Sequence, residues 1–193
     1  MTKFGIDGSA DARGILQPKL KYKYRVEFRD MGGIAGVREF TRNVVTCDRP
    51  KVSYEEVVVH SYNSRIYLTG KHEWQTITGV FRDDVQNNIS GLVGRQIQRQ
   101  VDHHNQVSAL SGVDYKFEMT VAILTGNHGD SAVELDKWHL EGCFIQNVDY
   151  DQGDYSASEP VQVTMIIRYD NALHFGQAAE QLMQPGLATQ TTG

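Results

Sequence analysis

Cysteine is scarce. Cys47 and Cys143 are the only two in 193 residues, and their separation fits neither a zinc site nor a redox pair. Two reduced, buried thiols are the expected state; a disulfide between them is the alternative that spacing leaves open. Proline is nearly as sparse, with four in the chain, which excludes a proline-rich linker. No run approaches the roughly 18 apolar residues of a membrane-spanning helix, and Met1 to Asp11 lacks the apolar stretch of a secretory signal. A soluble protein made in the cytoplasm is expected. Basic residues are outnumbered: 19 Lys and Arg face 24 Asp and Glu, a net charge of -5. Gripping nucleic acid by its phosphates needs clustered cations, so the charge balance argues against that class, whereas a surface along which nucleic acid slides unheld is allowed.

Catalytic signatures are absent as well. Gly70-Lys71 lacks the upstream glycine and the following Ser or Thr of a phosphate loop. Nucleophile-elbow, dinucleotide and zinc-protease patterns are missing. His103 and His104 are adjacent, so on a helix they point about 100° apart and cannot both face one metal; a solvated helix end is the reading. Asp149, Asp151 and Asp154 lack the bidentate glutamate of a calcium loop. No catalytic residue, cofactor or metal site is expected, and an enzyme is the weakest reading.

What is present is β patterning. From Lys19 to Arg29, Leu20, Tyr22, Tyr24, Val26 and Phe28 alternate with Lys21, Lys23, Arg25, Glu27 and Arg29, which predicts a strand with one dry and one charged face. Val37 to Cys47 is a weaker strand, and Val52 to His60 a β-prone one. Arg65 to Thr69 extends it or follows a turn, and Gly70 marks a loop. Glu73 to Arg82 reads as a strand with Trp74, Thr76, Thr78 and Val80 on one face. The period changes at Asp83. An Asp N-cap followed by Val85, Ile89, Leu92, Val93, Ile97 and Val101 predicts one amphipathic helix over about 84–102. Strands return at Tyr115 to Ile123, Val133 to Leu140, Cys143 to Tyr150 and Val161 to Tyr169, with a turn at Gly126 to Asp130 and another break near Gly142. The β pattern ends after Asn171, and Ala178 to Met183 has the composition of a short helix.

The expected fold is therefore mainly β, an antiparallel sandwich or barrel with one helix. The expected organisation is a polar N-terminal arm at 1–18, the β domain at 19–171 and a C-terminal extension at 172–193.

Three segments, in this order, carry a family resemblance: Gly70 to Val85 (GKHEWQTITGVFRDDV), Trp138 to Ile145 (WHLEGCFI) and Asp154 to Ala172 (DYSASEPVQVTMIIRYDNA). Together they resemble the tail tube proteins of contractile-tailed bacteriophages, a group related to the tubes of contractile injection systems. The resemblance covers roughly Lys19 to Ala172 and is most specific at the IRYDNA end. It implies a ring-forming subunit with six copies per ring, and rings stacked into a hollow tube inside a contractile sheath. The implied partners are further copies of the chain, the sheath protein, a baseplate hub or tube initiator and a tail terminator. It also implies that DNA passes through the lumen without specific binding and that the location is the virion tail, assembled in the host cytoplasm. Two alternatives stand beside it: a tube, initiator or baseplate part of a related injection or secretion system, and a ligand-binding β domain.

For assembly, the residues singled out are the basic strand face (Lys21, Lys23, Arg25), the segment Ser61 to Gly70 (Ser61, Tyr62, Arg65, Gly70) and the turn Arg82, Asp83, Asp84. The basic face is expected to meet acidic surface on a neighbour or the sheath. For ring closure the choice is the last alternating strand, Val161, Val163, Met165, Ile167 and Tyr169.

Overall fold

Strict alternation buries every second side chain, and in the computed structural model, which describes residues 19–124, 134–156 and 158–176, those side chains meet between two antiparallel sheets. Strand β1 (Tyr24–Arg29) turns in Val26 and Phe28. It pairs with β2 (Val37–Glu39) on one side and β9 (Phe117–Leu124) on the other. Strand β10 (Glu134–Asp149) follows β9, and its first half also pairs with β12 (Asn171–Gly176). The second half of β10 pairs with β11 (Gln162–Arg168), which continues to β6 (Ile77–Arg82) and β3 (Val44–Cys47). One long strand thus belongs to both sheets.

Gly142 makes that sharing possible. It sits at φ +66, where a Cβ is disfavoured, and an added Cβ would collide with the Asp170 carboxylate. The β9 register slips at this point, between Leu140 and Cys143, and the strand bends from one sheet into the other. The two strands expected on either side of Gly142 are accordingly one strand with a bulge. On the far side the sheets are stitched by Phe40 N–H to Val26 O (3.1 Å), Val26 N–H to Thr41 Oγ1 (3.3 Å) and Tyr24 O–H to Val45 O (3.2 Å). Phe28, Phe81, Phe117, Met119, Leu140, Met165 and Ile167 fill the interior.

The mainly antiparallel β fold with one helix is as expected, with several local corrections. The first strand starts at Tyr24; Leu20 and Tyr22 precede it and are exposed. Val37 to Cys47 is two strands split by a turn at Phe40–Asn43. Glu73 to Arg82 is broken at Gln75-Thr76, and its inward face is Ile77, Gly79 and Phe81, not Thr76, Thr78 and Val80. β structure runs on past Asn171 to Gly176, with Ala172 buried. Gly126 to Asp130, the arm, and Ala178 to Met183 lie outside the described residues.

Helix α1 (Asn88–Gln100) covers the core with Ile89, Leu92 and Val93. It starts later than expected because Asn87 adopts a left-handed conformation and offers no side-chain cap. Asp83 caps from a distance instead. Its carboxylate accepts from Ile89 N–H (3.1 Å), Ser90 N–H (3.3 Å) and the Ser90 hydroxyl. Asp84 accepts from Asn88 N–H (3.0 Å) and the Asn88 amide (2.6 Å), and these bonds hold its carboxyl below the usual carboxylate range. Asp83→Ala is expected to cost about 1–2 kcal/mol by loss of the cap, read as a lower urea midpoint; an unchanged midpoint would refute that role.

Candidate assembly surfaces

Among the described residues, strands β4 (Val52–Ser61) and β5 (Ser64–Trp74) pair only with each other, joined by a tight turn at Tyr62-Asn63. Neither strand has a buried residue. A two-stranded hairpin with two wet faces is marginal in water, yet this one is rich in apolar side chains. The register pairs Val57 with Leu68 and Val59 with Ile66, so these four share one face. They are 46%, 53%, 43% and 52% exposed in that order. Tyr54, Val58 and Tyr67 lie on the other face, with His60 paired to Arg65. Gly70 belongs to β5, correcting the expected loop. It lies at the register shift opposite Tyr54–Glu56, and an added Cβ would sit 3.0 Å from Glu55 Cβ and carbonyl.

The hairpin is held at its base. Trp74 packs edge-on against Trp138 (6.5 Å) and tilts against Tyr169 (5.8 Å). His72 meets Trp74 at 6.1 Å. Gln75 N–H donates to Lys51 O (2.9 Å), and Arg168 reaches Glu73 at 3.4 Å. Aromatic contacts of this kind add roughly 0.5–1.5 kcal/mol each beyond area burial, so the projection is fixed at one end and bare at the other.

The aromatic row ends in a charge. His174 stacks on Trp138 at 4.3 Å, and its Nε2 lies against the Asp136 carboxylate, which Lys19 also approaches at 3.5 Å. Burial pushes the Asp136 carboxyl up, but the His174 hydrogen bond and charge, with Lys19, outweigh it, and the carboxyl lies below its usual range. A carboxyl depressed on folding stabilises above its unfolded pKa of about 3.9, and that stability is lost as pH falls through the folded value. Melting temperature is therefore expected to drop below about pH 4 by more in the parent than in Asp136→Asn. Parallel acid limbs would refute the contribution.

The expected assembly residues fall into different settings. Arg25 bridges Glu27 (3.8 Å) and Glu134 (3.9 Å), and Arg29 reaches Glu118 (3.5 Å). Both arginines thus already have carboxylates of their own sheet beside them. Lys21 is exposed, and Lys23 lies 5.7 Å over the Tyr22 ring. Ser61, Tyr62 and Arg65 form the hairpin's exposed outer end. Arg82 is exposed, whereas Asp83 and Asp84 are occupied as caps. Val163, Met165, Ile167 and Tyr169 are core, Val161 is exposed, and β11 has β10 on one side and β6 on the other. A strand paired on both sides has no free backbone, so β11 cannot close a ring by strand pairing.

The edges that sequence reasoning missed are β2 and β12. They end the sheet β2-β1-β9-β10-β12, and neither has a strand on its outer side among the described residues. The thiols are free; burial pushes Cys47 up to about 12, and Cys143 higher still. Among the described residues no group of three His, Cys, Asp or Glu is placed to hold a metal. His103 and His104 are exposed, beyond the helix end.

By sequence, the chain matches no family model and no curated protein. By structure it is similar to a chain of the extracellular contractile injection system PVC sheath-tube complex in its extended state. Identity is 12%, covering 88% of this chain and 99% of that one, with a TM-score of 0.62. The chain has the tail-tube fold. The same fold is seen in the tube-terminating cap of the anti-feeding prophage, at 12% identity, 87% and 97% coverage and a TM-score of 0.65. It is seen again in the SPP1 tail tube, at 13% identity, 91% and 95% coverage and a TM-score of 0.54. Among the described residues, the exposed hairpin and the outer edges of β2 and β12 are surfaces that a single copy leaves uncovered.

Proposed function

We propose that the chain is a structural tube subunit that closes into six-membered rings, and that the rings stack into a hollow tube inside a contractile sheath. The observation that carries this reading is the hairpin: aliphatic surface held out from the body on an anchored base is surface built to be covered. The open ends of one sheet support it. Strands β2, β9 and β12 run in the same direction, because every pairing between them is antiparallel. A cyclic arrangement then sets β12 of one copy beside β2 of the next in parallel, and the repeat removes both edges. The chain's partners in this reading are its own copies, the sheath, a baseplate hub or initiator and a terminator. The tube is the tail of a virion assembled in the host cytoplasm, and DNA crosses the lumen without being bound. The role is structural rather than catalytic. Lys21 and Lys23 serve as contacts to a neighbour or the sheath.

The test is negative-stain microscopy of the purified chain with size-exclusion chromatography across concentration. Sixfold rings or hollow filaments are expected. A chain that stays monomeric at its solubility limit, and still forms no ring when co-expressed with its neighbouring genes, overturns the reading. A second role is favoured by one observation: the likeness to the cap chain is as strong as that to the sheath-tube chain. Single rings that never extend would place the chain at a tube end.

A further inference from the structure

A sheet with several open edges can associate in several ways, and only some of them close. The second half of β10 is such an edge. Its pairing with β9 stops at Cys143–Phe117, and the chain before Phe117 turns off through a 3-10 turn at Gly112–Asp114. From Ile145 onward, β10 therefore has β11 on one side and, among the described residues, no strand on the other.

The last residue of α1 occupies that place. Gln100 Oε1 accepts from Ile145 N–H at 3.0 Å, and Gln100 Nε2 donates to Ile145 C=O at 2.9 Å. One side-chain amide thus satisfies both backbone groups of Ile145, as an adjacent strand would. Its position is fixed by Gln96, which is fully buried. Gln96 Oε1 accepts from Gly32 N–H (2.8 Å), and its Nε2 donates to Tyr115 O (2.6 Å) and lies 3.5 Å from Gln100 Oε1. Beyond Ile145 the β11 register shifts before Asn147, and Asp149 is exposed. A capped amide, a bulge and a charge are three separate ways of blunting an edge. No side chain hydrogen-bonds the backbone of β2 or β12 among the described residues.

We propose that Gln100 is a specificity residue for self-association: it seals the second half of β10 against strand addition and so keeps sheet-to-sheet joining off that edge. This rests on the reading that copies join through strand edges. Its chemical content is that the excluded partner is any extended segment, above all a strand of a second copy.

The test uses the full chain carrying Gln100→Leu, with Gln100→Glu beside it. Leucine keeps the bulk and removes both hydrogen bonds; glutamate keeps an acceptor for Ile145 N–H and adds a charge that repels an incoming strand. Amide exchange at Ile145, circular dichroism, light scattering and thioflavin fluorescence are followed together. In Q100L, Ile145 exchange is expected to rise about tenfold, the worth of one lost hydrogen bond. Irregular thioflavin-positive material is expected to replace uniform assemblies, with the far-ultraviolet spectrum unchanged. Q100E is expected to remain free of such material. Unchanged Ile145 protection in Q100L overturns the proposal, as does faster exchange without altered association. Should Q100L fail to fold, irregular aggregation of a folded Q100E overturns it equally. A parent that never associates defeats the tube reading alone, because new thioflavin-positive association of Q100L would still report an opened β10 edge.

Discussion

Carrying Ile66→Lys and Leu68→Lys together, the chain is expected to fold as before and to lose self-association. Both side chains are about half exposed on the hairpin, so the substitutions fall among surface changes that move stability by about 0.5 kcal/mol or less. In the proposed assembly the same two side chains are covered. Fully burying an aliphatic side chain is worth roughly 1.5–3 kcal/mol, and these two are already half covered, so losing both removes about 1.5–3 kcal/mol, roughly ten- to a hundredfold in the association constant. Putting ammonium groups in the contact adds a desolvation cost. Light scattering after size exclusion reads the change, with circular dichroism to verify the fold. Normal assemblies from the folded double variant would show that this face stays wet. Tyr67→Lys, on the opposite face of the same strand, tells which side is covered: a much weaker effect is expected there.

The largest loss of stability is expected at Phe28. Its ring is 2% exposed and touches Phe40 and Phe81 at 5.8 Å and Phe117 at 5.9 Å between centroids. Those partners come from the turn after β2, from β6 in the second sheet and from β9 in the first. Phe28→Ala removes the ring that all three share, and the surrounding backbone is fixed by pairing on every side, so the cavity cannot collapse. A cost of about 3–5 kcal/mol follows, a large part of the roughly 5–15 kcal/mol that holds a domain together, and a fall of roughly 10 °C in melting temperature. Phe28→Leu retains most of the volume and is expected to cost about 1.5 kcal/mol or less. Urea denaturation measures both; an alanine variant within about 1 kcal/mol of the parent would mean that the ring is not central.

Much of this was readable in the sequence where polarity alternates cleanly. Val26 and Phe28, Met119 and Val121, and Val163, Met165 and Ile167 announce buried faces, and all are buried. Alternation fails as a guide where glycine takes an inward position. At Gly79 the missing side chain looks like a gap in the apolar face, and the periodic reading shifts onto Thr78 and Val80. It fails again at Gly142, where a bulge inside a strand has the composition of a loop. In Asn171–Gly176 both faces carry apolar groups, Ala172 on one and Leu173 and Phe175 on the other, so no period is visible. The helix cap was chemically right and geometrically displaced: Asp83 does satisfy the first amides, but across a left-handed residue that propensity alone does not place. The assembly surface was hardest. Val57, Val58 and Val59 signal a strand without saying whether anything covers it, because exposure belongs to the packed body and not to the segment.

The sharing of β10 between two sheets also sets an order of events. The hairpin closes on a turn of two residues, so it forms within its own stretch of chain, and local closure is fast. The first strand of the body must wait for β9, whose residues lie far downstream, as in the pairing of Tyr24 with Ile123. Neither sheet is complete until β10 and β11 have been made. During synthesis the stretch that makes the projection is therefore complete before Trp138, Tyr169 and Arg168, which anchor its base. Until then the apolar side chains of β4 and β5 have no frame to hold them, and translation slowed between β6 and β9 is expected to favour tangled pairings over ordered ones.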